Sequence, residues 1–439
     1  MADLVSVIRR LNPNVPAGAD KEALPRIERT SNAMRQISAQ VSADPLAKVL
    51  LAGHIGVGKS TELLEFGRQM AQERLVIRFS VAERLGVHNV STFALLLVLL
   101  ESVVRRPWAQ RKDSIPPGII EQLIEKLNVL LERRIRPSAP NRVLARDLIP
   151  SAMLLRGEKV ARGIDTAQGL LRLYREMLQQ IALRSVSFEE VIALDPSPIV
   201  ASCTLVLKEL ARVVEKPVLV IIDDLDKVRS DEARNDVFLT RAMAWQQLPC
   251  GIVATVPLDA VFSDIGRELD QIWLDMQVLD PLPVPEPEGA SLREPALQPY
   301  RGILRSAGAE AVFSAVQCRR LASASSGLPR VFVSMCGACV RYALDSDQDH
   351  VRDYHIELAF RDMADKWRGR LNDSDYEALV AVLDSGGSNV PAAIPLLRDG
   401  ILIRDGAAAP DRQFRLAPWA EPLVEAYRER TSRVRPATP

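Results

Sequence analysis

The chain contains 439 residues, of which 47% are hydrophobic and 26% are charged, so its composition is that of an ordinary globular protein and not of a disordered or fibrous one. Lys plus Arg and Asp plus Glu both total 56, and the resulting net charge of zero excludes a strongly charged whole-chain surface for nucleic acid or membrane. The length exceeds that of one ordinary hydrophobic core and predicts two or three domains.

The cysteines and the apolar runs indicate the cellular compartment in which we expect the protein. Five cysteines are few and odd in number, which favours reduced thiols and a cytoplasmic protein over a disulfide framework. Residues 1–10 show no secretory signal pattern. The longest apolar run, residues 93–100, is far shorter than the roughly 20 residues of a membrane helix, so we expect a buried helix and no membrane partner.

The N-terminal residues 1–45 predict a helical lead-in to a folded core. Ile27, Met34, Ile37 and Val41 are spaced as on one helix face, which predicts a helix over residues 25–41. Residues 47–52 then predict a short buried strand, and residues 60–71 predict a helix after a glycine-rich loop. Strand, loop and helix follow one another without a break.

The middle of the chain predicts a parallel α/β core over residues 46–285, with a helical insertion at about residues 91–198. Residues 218–222 form a fully apolar, β-branched run that is typical of a buried parallel strand. The other predicted helices lie at residues 92–105, 118–134, 167–183 and 200–214, and the other predicted strands lie at residues 75–81, 251–256 and 273–278.

The C-terminal part predicts two further domains. A proline-rich stretch at residues 281–287 predicts a linker, and residues 286–371 predict an all-helical domain. Residues 372–439 predict a winged-helix domain with a frayed tail after Arg430. Its predicted elements are a helix over residues 376–383, a short helix ending at Arg398, and two strands at residues 401–404 and 413–416.

The glycine-rich loop carries the strongest functional signal. It matches G-x-x-x-x-G-K-[ST], in which glycines turn backbone N–H groups towards phosphates at the start of a helix. Lys59 is predicted to reach the terminal phosphates and Ser60 to ligate Mg²⁺, so ATP and Mg²⁺ are the expected cofactors. A chance glycine turn is the alternative, which the flanking strand and helix disfavour. The predicted nucleotide-binding residues are Gly53, His54, Ile55, Gly56, Val57, Gly58, Lys59, Ser60 and Thr61.

Three aspartates follow the apolar run at residues 218–222. A carboxylate at the end of a strand beside the phosphate loop can hold Mg²⁺, and we assign Asp223 to the metal. Asp224 is predicted to orient or deprotonate the attacking water. Asp226 more often caps the next helix in such a pattern, so we leave it out of the catalytic set.

Two further residues are candidates for contact with the terminal phosphate. Thr255, near the end of the strand at residues 251–256, either hydrogen-bonds the water or γ-phosphate, or packs as an ordinary β-branched residue. Arg330 follows Gly327-Leu328-Pro329 and either reaches the phosphates or lies on the surface at a helix start. Cys336 and Cys339 form a lone CxxC, which is only half of a four-ligand zinc site.

Taken together, these motifs resemble the AAA+ and STAND branches of the P-loop ATPases. The resemblance rests on Gly-His-Ile-Gly-Val-Gly-Lys-Ser-Thr-Glu-Leu and Ile-Ile-Asp-Asp-Leu-Asp-Lys. It implies a P-loop NTPase parallel sheet, a helical lid domain and a C-terminal winged helix, with Thr255 matching sensor 1 and Arg330 matching sensor 2 or the Gly-x-Pro lid motif. AAA+ proteins usually carry Asp-Glu where this chain has Asp223-Asp224, which implies slow hydrolysis.

The same resemblance implies an oligomer in which one subunit supplies an arginine to its neighbour. No local motif marks that arginine. Arg267 lies in the stretch where such arginines occur, while Arg229, Arg234 and Arg241 compete with it, and a solvated surface arginine is the alternative for each.

Three functions remain open at this point. One is a signalling ATPase whose nucleotide state controls homo-oligomerisation or activation of a protein partner, with bacterial antiviral defence implied by the resemblance alone. Another is a DNA-binding or DNA-loading ATPase, although residues 390–398 carry only one arginine where a recognition helix needs several polar side chains. The third is a nucleotide-binding scaffold with negligible turnover.

Overall fold

The computed structural model describes residues 4–15, 17, 24, 26, 29, 31–88, 90–111, 122, 195–273, 275–285, 295–387, 390–404 and 414–434. The helices predicted at residues 118–134 and 167–183 lie outside these ranges. The α-helices are α1 (Leu4–Arg10), α2 (Asn32–Ala43), α3 (Lys59–Met70), α4 (Val81–Arg84), α5 (Thr92–Arg111), α6 (Ser197–Val214), α7 (Asp231–Asn235), α8 (Ala242–Gln246), α9 (Leu258–Phe262), α10 (Ile265–Ile272), α11 (Gln298–Ser306), α12 (Ala315–Ala324), α13 (Pro329–Asp345), α14 (Asp353–Arg368), α15 (Asp373–Asp384) and α16 (Glu421–Val434). The strands are β1 (Lys48–Ala52), β2 (Leu75–Ser80), β3 (Val218–Asp223), β4 (Gly251–Thr255), β5 (Asp275–Val278), β6 (Leu402–Arg404) and β7 (Phe414–Leu416).

A five-stranded parallel sheet in the order β2-β3-β4-β1-β5 forms the centre of the described part of the chain. Every residue of β1, β3 and β4 is buried, as expected for strands that helices cover on both faces. The predicted α/β sheet is therefore confirmed, and all five of its predicted strands are present. Because the strands are parallel, the loop after β1 and the acidic segment after β3 emerge at the same edge of the sheet.

The helix at the start of the predicted insertion packs with the core. Residues 93–100 of α5 are all fully buried, since a helix that is apolar all round must be covered on every side. α5 contacts β2 and packs against α6, the helix predicted just after the insertion, and α6 contacts β3. The described part of α5 therefore belongs to the core layer of the sheet.

The N-terminal helix is shorter than the sequence predicts. Helix α2 begins only at Asn32, because the side chain of Ser31 caps it by accepting a hydrogen bond from the backbone N–H of Met34 at 3.3 Å. Leu24, Arg26 and Arg29 lie outside any helix. Of these residues, Arg29 lies beside the loop after β1, where its side chain donates to the carbonyl of Val57, and it is therefore part of the candidate site.

Helices α11 to α14 form the predicted all-helical layer, and α1 packs against α13. The linker before this layer is fixed to it, because the backbone N–H of Leu282 donates to the carbonyl of Gly327 at 2.8 Å. Gly327 has a φ of +82°, and a Cβ there would lie 2.3 Å from the carbonyl oxygen of Leu282, so only glycine fits. The linker and the start of α13 therefore meet beside the sheet.

The C-terminal residues form α15, a short 3₁₀ helix (Pro391–Leu397), the antiparallel pair β6-β7 and α16. The helix, short helix and two strands that the sequence predicts are all present. The predicted frayed tail after Arg430 is wrong, since α16 continues to Val434. Buried Leu423 and Val424 and the stacking of Tyr427 on Tyr376, with ring centroids 4.8 Å apart, anchor this helix.

Among the described residues, no helix is both long enough and apolar enough to cross a bilayer.

Candidate nucleotide site

The loop after β1 has the backbone geometry of a phosphate cradle. Gly53, Gly56 and Gly58 have φ values of +153°, +85° and +108°, and the last two lie in the left-handed region that favours glycine. Helix α3 begins directly after Gly58, so the N–H groups of its first turn have no partners within the helix and are oriented towards an anion at the loop. The sequence pattern and the backbone agree at this position.

Lys59 is held at the base of the loop by three acceptors. Its ammonium group lies 2.6 Å from the carbonyl oxygen of Gly53, 3.0 Å from that of His54 and 2.9 Å from the Oδ2 atom of Asp226. The side chains of Lys59 and Asp226 are only 5% and 6% exposed, which makes this a buried ion pair. An incoming phosphate would compete with Asp226 for the lysine.

The position of Asp226 corrects the sequence interpretation. The next helix, α7, is capped by Ser230 and not by Asp226. Asp226 instead pairs with Lys59, because the turn after β3 lies directly beside the phosphate loop. Asp226 is therefore part of the site from which the sequence pattern excluded it.

Ser60 and Asp223 meet as the magnesium assignment requires. The Ser60 hydroxyl donates to Oδ1 of Asp223 at 3.1 Å, and Arg78 donates to Oδ2 at 2.7 Å. Burial and the nearby charge of Asp224 raise the pKa of Asp223, although Arg78 opposes this. A cation would relieve that unfavourable burial of negative charge.

The donor set fits Mg²⁺ in its usual mode in phosphate sites. Mg²⁺ prefers oxygen ligands and generally keeps several waters and substrate phosphates, so one hydroxyl and one carboxylate oxygen are enough protein ligands. The described residues contain no cluster of three or more His, Cys, Asp or Glu side chains arranged for a metal. Ser60 and Asp223 would therefore hold the ion only together with a bound phosphate.

Asp224 lines the cleft at the end of β3. Its Oδ1 atom lies 2.5 Å from the ammonium group of Lys227, and its Oδ2 atom accepts a hydrogen bond from the Ser80 hydroxyl at 2.5 Å. Burial opposes ionisation, but the hydrogen bonds from Lys227 and Ser80 outweigh it and lower the pKa of Asp224. An ionised carboxylate of low pKa orients a water well but accepts its proton poorly.

Thr255 does not face the cleft. It is fully buried, and its hydroxyl accepts a hydrogen bond from the backbone N–H of Asp226 at 3.3 Å. Thr255 is not among the residues that line the cleft, and its contact with a water or phosphate stays a prediction. Thr255 instead holds the backbone of the acidic turn after β3 (residues 224–226), in which Asp226 contacts Lys59.

Arg330 lies over the phosphate loop from the helical layer. Its backbone N–H donates to the carbonyl of Gly56 at 3.2 Å, and its Nε atom donates to the carbonyl of Pro13 at 3.0 Å. A Cβ at Gly56 would lie 2.6 Å from the Cβ of Arg330, so glycine is required for this close approach. Arg330 lines the cleft from the start of α13, and its contact with a phosphate stays a prediction.

Part of the cleft is apolar. The empty volume of the cleft, counted out to the solvent, is about 1020 Å³. Its apolar lining comes from the N-terminal segment, the linker and the helical layer, and includes Pro13, Val15, Leu24, Leu282, Ile303 and Val333. Such a surface next to an anion cradle has the chemistry to hold a flat base. The sequence offered no signal for this wall, because its residues come from segments without a motif.

His54 connects the phosphate loop to the C-terminal region. Its Nδ1 atom lies 3.1 Å from the carbonyl oxygen of Leu397, and its Nε2 atom lies 2.9 Å from the backbone nitrogen of Arg404. Since a carbonyl can only accept and an N–H can only donate, Nδ1 carries the proton and the ring is neutral. Burial lowers the pKa of His54 to about 3, and the neighbouring cations of Lys59 and Arg404 contribute to the shift.

This buried imidazole predicts a pH-dependent stability. The unfolded histidine has a pKa of about 6.5, so acid protonates the unfolded chain first, and stability is complete above pH ~6.5 and falls towards pH ~3. Within that window, His54 lowers the free energy of unfolding by about 1.4 kcal/mol for each pH unit of acidification. Urea denaturation between about pH 7.5 and pH 5 should show wild type losing stability faster than His54→Gln. If the free energy of unfolding falls equally with pH in wild type and His54→Gln, the assignment of a neutral buried ring is wrong.

The four arginines that are candidates to act on a neighbouring subunit fall into two groups. Arg234 pairs with Asp259 at 3.0 Å and Arg241 pairs with Asp236 at 3.3 Å, so both are engaged within the chain. Arg229 and Arg267 are exposed.

Cys336 and Cys339, the two cysteines of the CxxC pattern, are fully buried in α13. Burial raises the pKa of both thiols. Packing in the core is therefore sufficient to explain the CxxC pattern.

The sheet, the loop after β1 and the carboxylates after β3 define a P-loop NTPase fold. No protein-family model matches the chain, and no curated protein matches it. Similar solved structures include Orc1 of Aeropyrum pernix in complex with DNA, which has 11% identity and a TM-score of 0.40 over 93% of this chain and 96% of that chain. Another is Cdc6p of Pyrobaculum aerophilum, with 12% identity and a TM-score of 0.38 over 96% and 88%.

A further similar structure is the RuvB Holliday junction branch migration motor of Thermotoga maritima. It has 11% identity and a TM-score of 0.35, covering 97% of this chain and 98% of that chain. Identities and TM-scores this low carry no information about ligands or activity. Function has to be inferred from the site itself.

Proposed function

We propose that the protein is an ATP-binding, slowly hydrolysing regulatory ATPase of the AAA+/STAND kind. One observation supports this above all others: the phosphate loop contacts three parts of the chain at once. Lys59 meets the core through Asp226, Gly56 meets the helical layer through Arg330, and His54 meets the C-terminal region through Leu397. A phosphate bound in this loop acts on all three contacts.

The switching step follows from competition for the loop. A triphosphate offers Lys59 a stronger partner than the Asp226 carboxylate and offers Arg330 an anion within the same cleft. A ligand shifts a conformational equilibrium only by its different affinity for the two states. The contacts of His54 and Arg330 are the ones whose strength would differ between nucleotide states, and through them a bound nucleotide would act on the helical layer and the C-terminal region.

Hydrolysis requires charge neutralisation and an oriented water. Mg²⁺ held by Ser60 and Asp223 would neutralise developing charge on the phosphate oxygens. Lys59 and Arg330 add positive charge at the same loop, and Asp224 orients the water through an ionised oxygen. Because hydrogen bonds from Lys227 and Ser80 lower the pKa of Asp224, this carboxylate is suited to orient the water rather than to accept its proton.

The proposed partners are further copies of this chain and a protein effector in the cytoplasm. Arg229 and Arg267 are exposed and can enter a neighbouring subunit's cleft, whereas Arg234 and Arg241 are engaged in ion pairs within the chain. A role in bacterial antiviral defence is supported by motif resemblance alone.

DNA binding stays as the alternative function. The short helix expected to read bases (Pro391–Leu397) packs against α9 and buries Ala393, Ile394 and Leu397. Arg398, its single cation, pairs with Asp259 at 2.6 Å. Duplex binding that weakens steeply with rising salt would favour this alternative.

Light scattering with and without nucleotide tests the regulatory proposal. We expect the mass in saturating Mg²⁺-ATP to be at least about twice that in ADP or without nucleotide, because a nucleotide-controlled interface brings copies together. The double variant Lys59→Ala/Asp226→Asn removes the ion pair of the loop and should keep one mass throughout. Equal wild-type masses despite measured ATP binding would exclude control through oligomerisation.

A further inference from the structure

Arg29, which precedes α2 in the chain, lies against the phosphate loop. Its Nη1 atom donates to the carbonyl of Val57 at 3.1 Å, and its Nε atom lies 3.4 Å from Oε1 of Glu62 in the first turn of α3. The side chain is 11% exposed and lines the same cleft as Lys59. No sequence motif marks this residue.

One end of the Arg29 guanidinium lacks an acceptor. Within the part of the chain that the structure describes, its Nη2 atom is buried and has no hydrogen-bond partner. A Cβ placed on Gly58 would lie 3.8 Å from that atom, so Nη2 is directly beside the phosphate cradle. A buried guanidinium N–H without an acceptor is costly, and phosphate oxygens are the acceptors that its planar fork suits best.

The position of Arg29 along the loop is different from that of Lys59. The Lys59 ammonium lies at the Gly53 and His54 end, whereas Arg29 lies at the Val57 and Glu62 end. Leu24, five residues before Arg29 in the chain, also lines the cleft. Arg29 contacts the loop where it leads into α3, apart from the Lys59 ammonium, and we expect it to bind the phosphates that ADP and ATP share.

We propose that Arg29 is a phosphate ligand which the N-terminal segment contributes to the site, and that Glu62 holds it in position. This inference rests on the proposed nucleotide binding and extends it to a contact made from outside the P-loop core. Glu62 also pairs with Arg26 at 2.9 Å, so two arginines share one buried acid. Nucleotide binding thereby couples the N-terminal segment to the phosphate loop.

Arg26 provides a matched control, because it pairs with the same Glu62 but does not line the cleft. Calorimetric titration with Mg²⁺-ADP and Mg²⁺-ATP should show Arg29→Gln binding both nucleotides about 10-fold more weakly, by an equal factor, with Arg26→Gln within about 2-fold of wild type. Thermal unfolding without nucleotide measures how much each arginine stabilises the folded protein through its pairing with Glu62. Arg29→Lys keeps the charge and should lose only about 3-fold, which tests the proposal even if Arg29→Gln does not fold.

The outcomes separate this inference from the proposed function. The inference is overturned if Arg29→Gln and Arg26→Gln lower the nucleotide affinity equally. It is also overturned if Arg29→Gln and Arg29→Lys bind ADP like wild type while Lys59→Ala does not. In either case Arg29 only stabilises the loop and does not bind phosphate. If wild type binds neither ADP nor ATP, the proposed function fails and the inference fails with it.

Discussion

Replacing Lys59 by alanine is expected to lower the affinity for Mg²⁺-ATP by at least about 100-fold. The buried ammonium group supplies charge-assisted hydrogen bonds, each of which contributes about 1.5–3 kcal/mol, so two such bonds correspond to a factor of about 10² or more. No other lysine contacts the loop at its Gly53 and His54 end among the described residues. Calorimetric titration of both proteins with ATP measures the difference.

The single variant also leaves a buried charge without its partner. Asp226 is 5% exposed, and removal of one member of a buried ion pair destabilises a protein by about 3–5 kcal/mol. Lys59→Ala/Asp226→Asn removes that charge and should recover most of the unfolding free energy, measured in urea, without recovering ATP affinity. Restored ATP binding in the double variant would mean that Lys59 matters only because it neutralises Asp226.

The elements that the sequence predicts well are the ones with local patterns. The apolar run of β1, the glycine loop and α3 follow one another in the chain, so spacing alone determines them. The meeting of Ser60 with Asp223, 163 residues apart, is also predictable, because carboxyl ends of parallel strands share one edge of the sheet.

The acidic turn shows where local patterns fail. A short acid after a strand is compatible both with capping the next helix and with pairing to a cation, and periodicity does not distinguish them. Pairing of Asp226 with Lys59 follows from the placement of the turn beside the loop, with Thr255 beneath it holding the Asp226 backbone. That placement depends on the packing of three strands, which no window of sequence contains.

Long-range polar contacts are likewise absent from the sequence pattern. His54 is visible in the loop, yet its acceptor, the carbonyl of Leu397, lies 343 residues away in a segment without a motif. Arg29 belongs to a stretch that the spacing of apolar residues predicts as helix, whereas α2 begins only after Ser31 and the Arg29 side chain contacts the carbonyl of Val57. Both residues matter because of tertiary geometry, and only the structure reveals them.

Asp224→Asn is expected to abolish most hydrolysis while leaving nucleotide binding intact. Loss of a positioned acceptor for the attacking water should slow phosphate release by at least about 100-fold, with ATP affinity changed by less than about 3-fold. Asparagine suits this position, since residue 224 has a φ of +71° and asparagine tolerates the left-handed region better than most residues. Phosphate release and ATP titration on the same preparation give both quantities.

The pH dependence of turnover tests the same assignment through Lys227. Lys227 lies 2.5 Å from Asp224 and lowers the pKa of that carboxyl group, so Lys227→Met should raise it towards the usual value. Because the ionised carboxylate is a much stronger hydrogen-bond acceptor for water than the protonated acid, the acid limb of the pH–rate profile should move to higher pH in this variant. If the acid limb does not move and Asp224→Asn keeps the wild-type rate, then Asp224 does not orient the water, and Asp226 becomes the carboxylate at the cleft to test next.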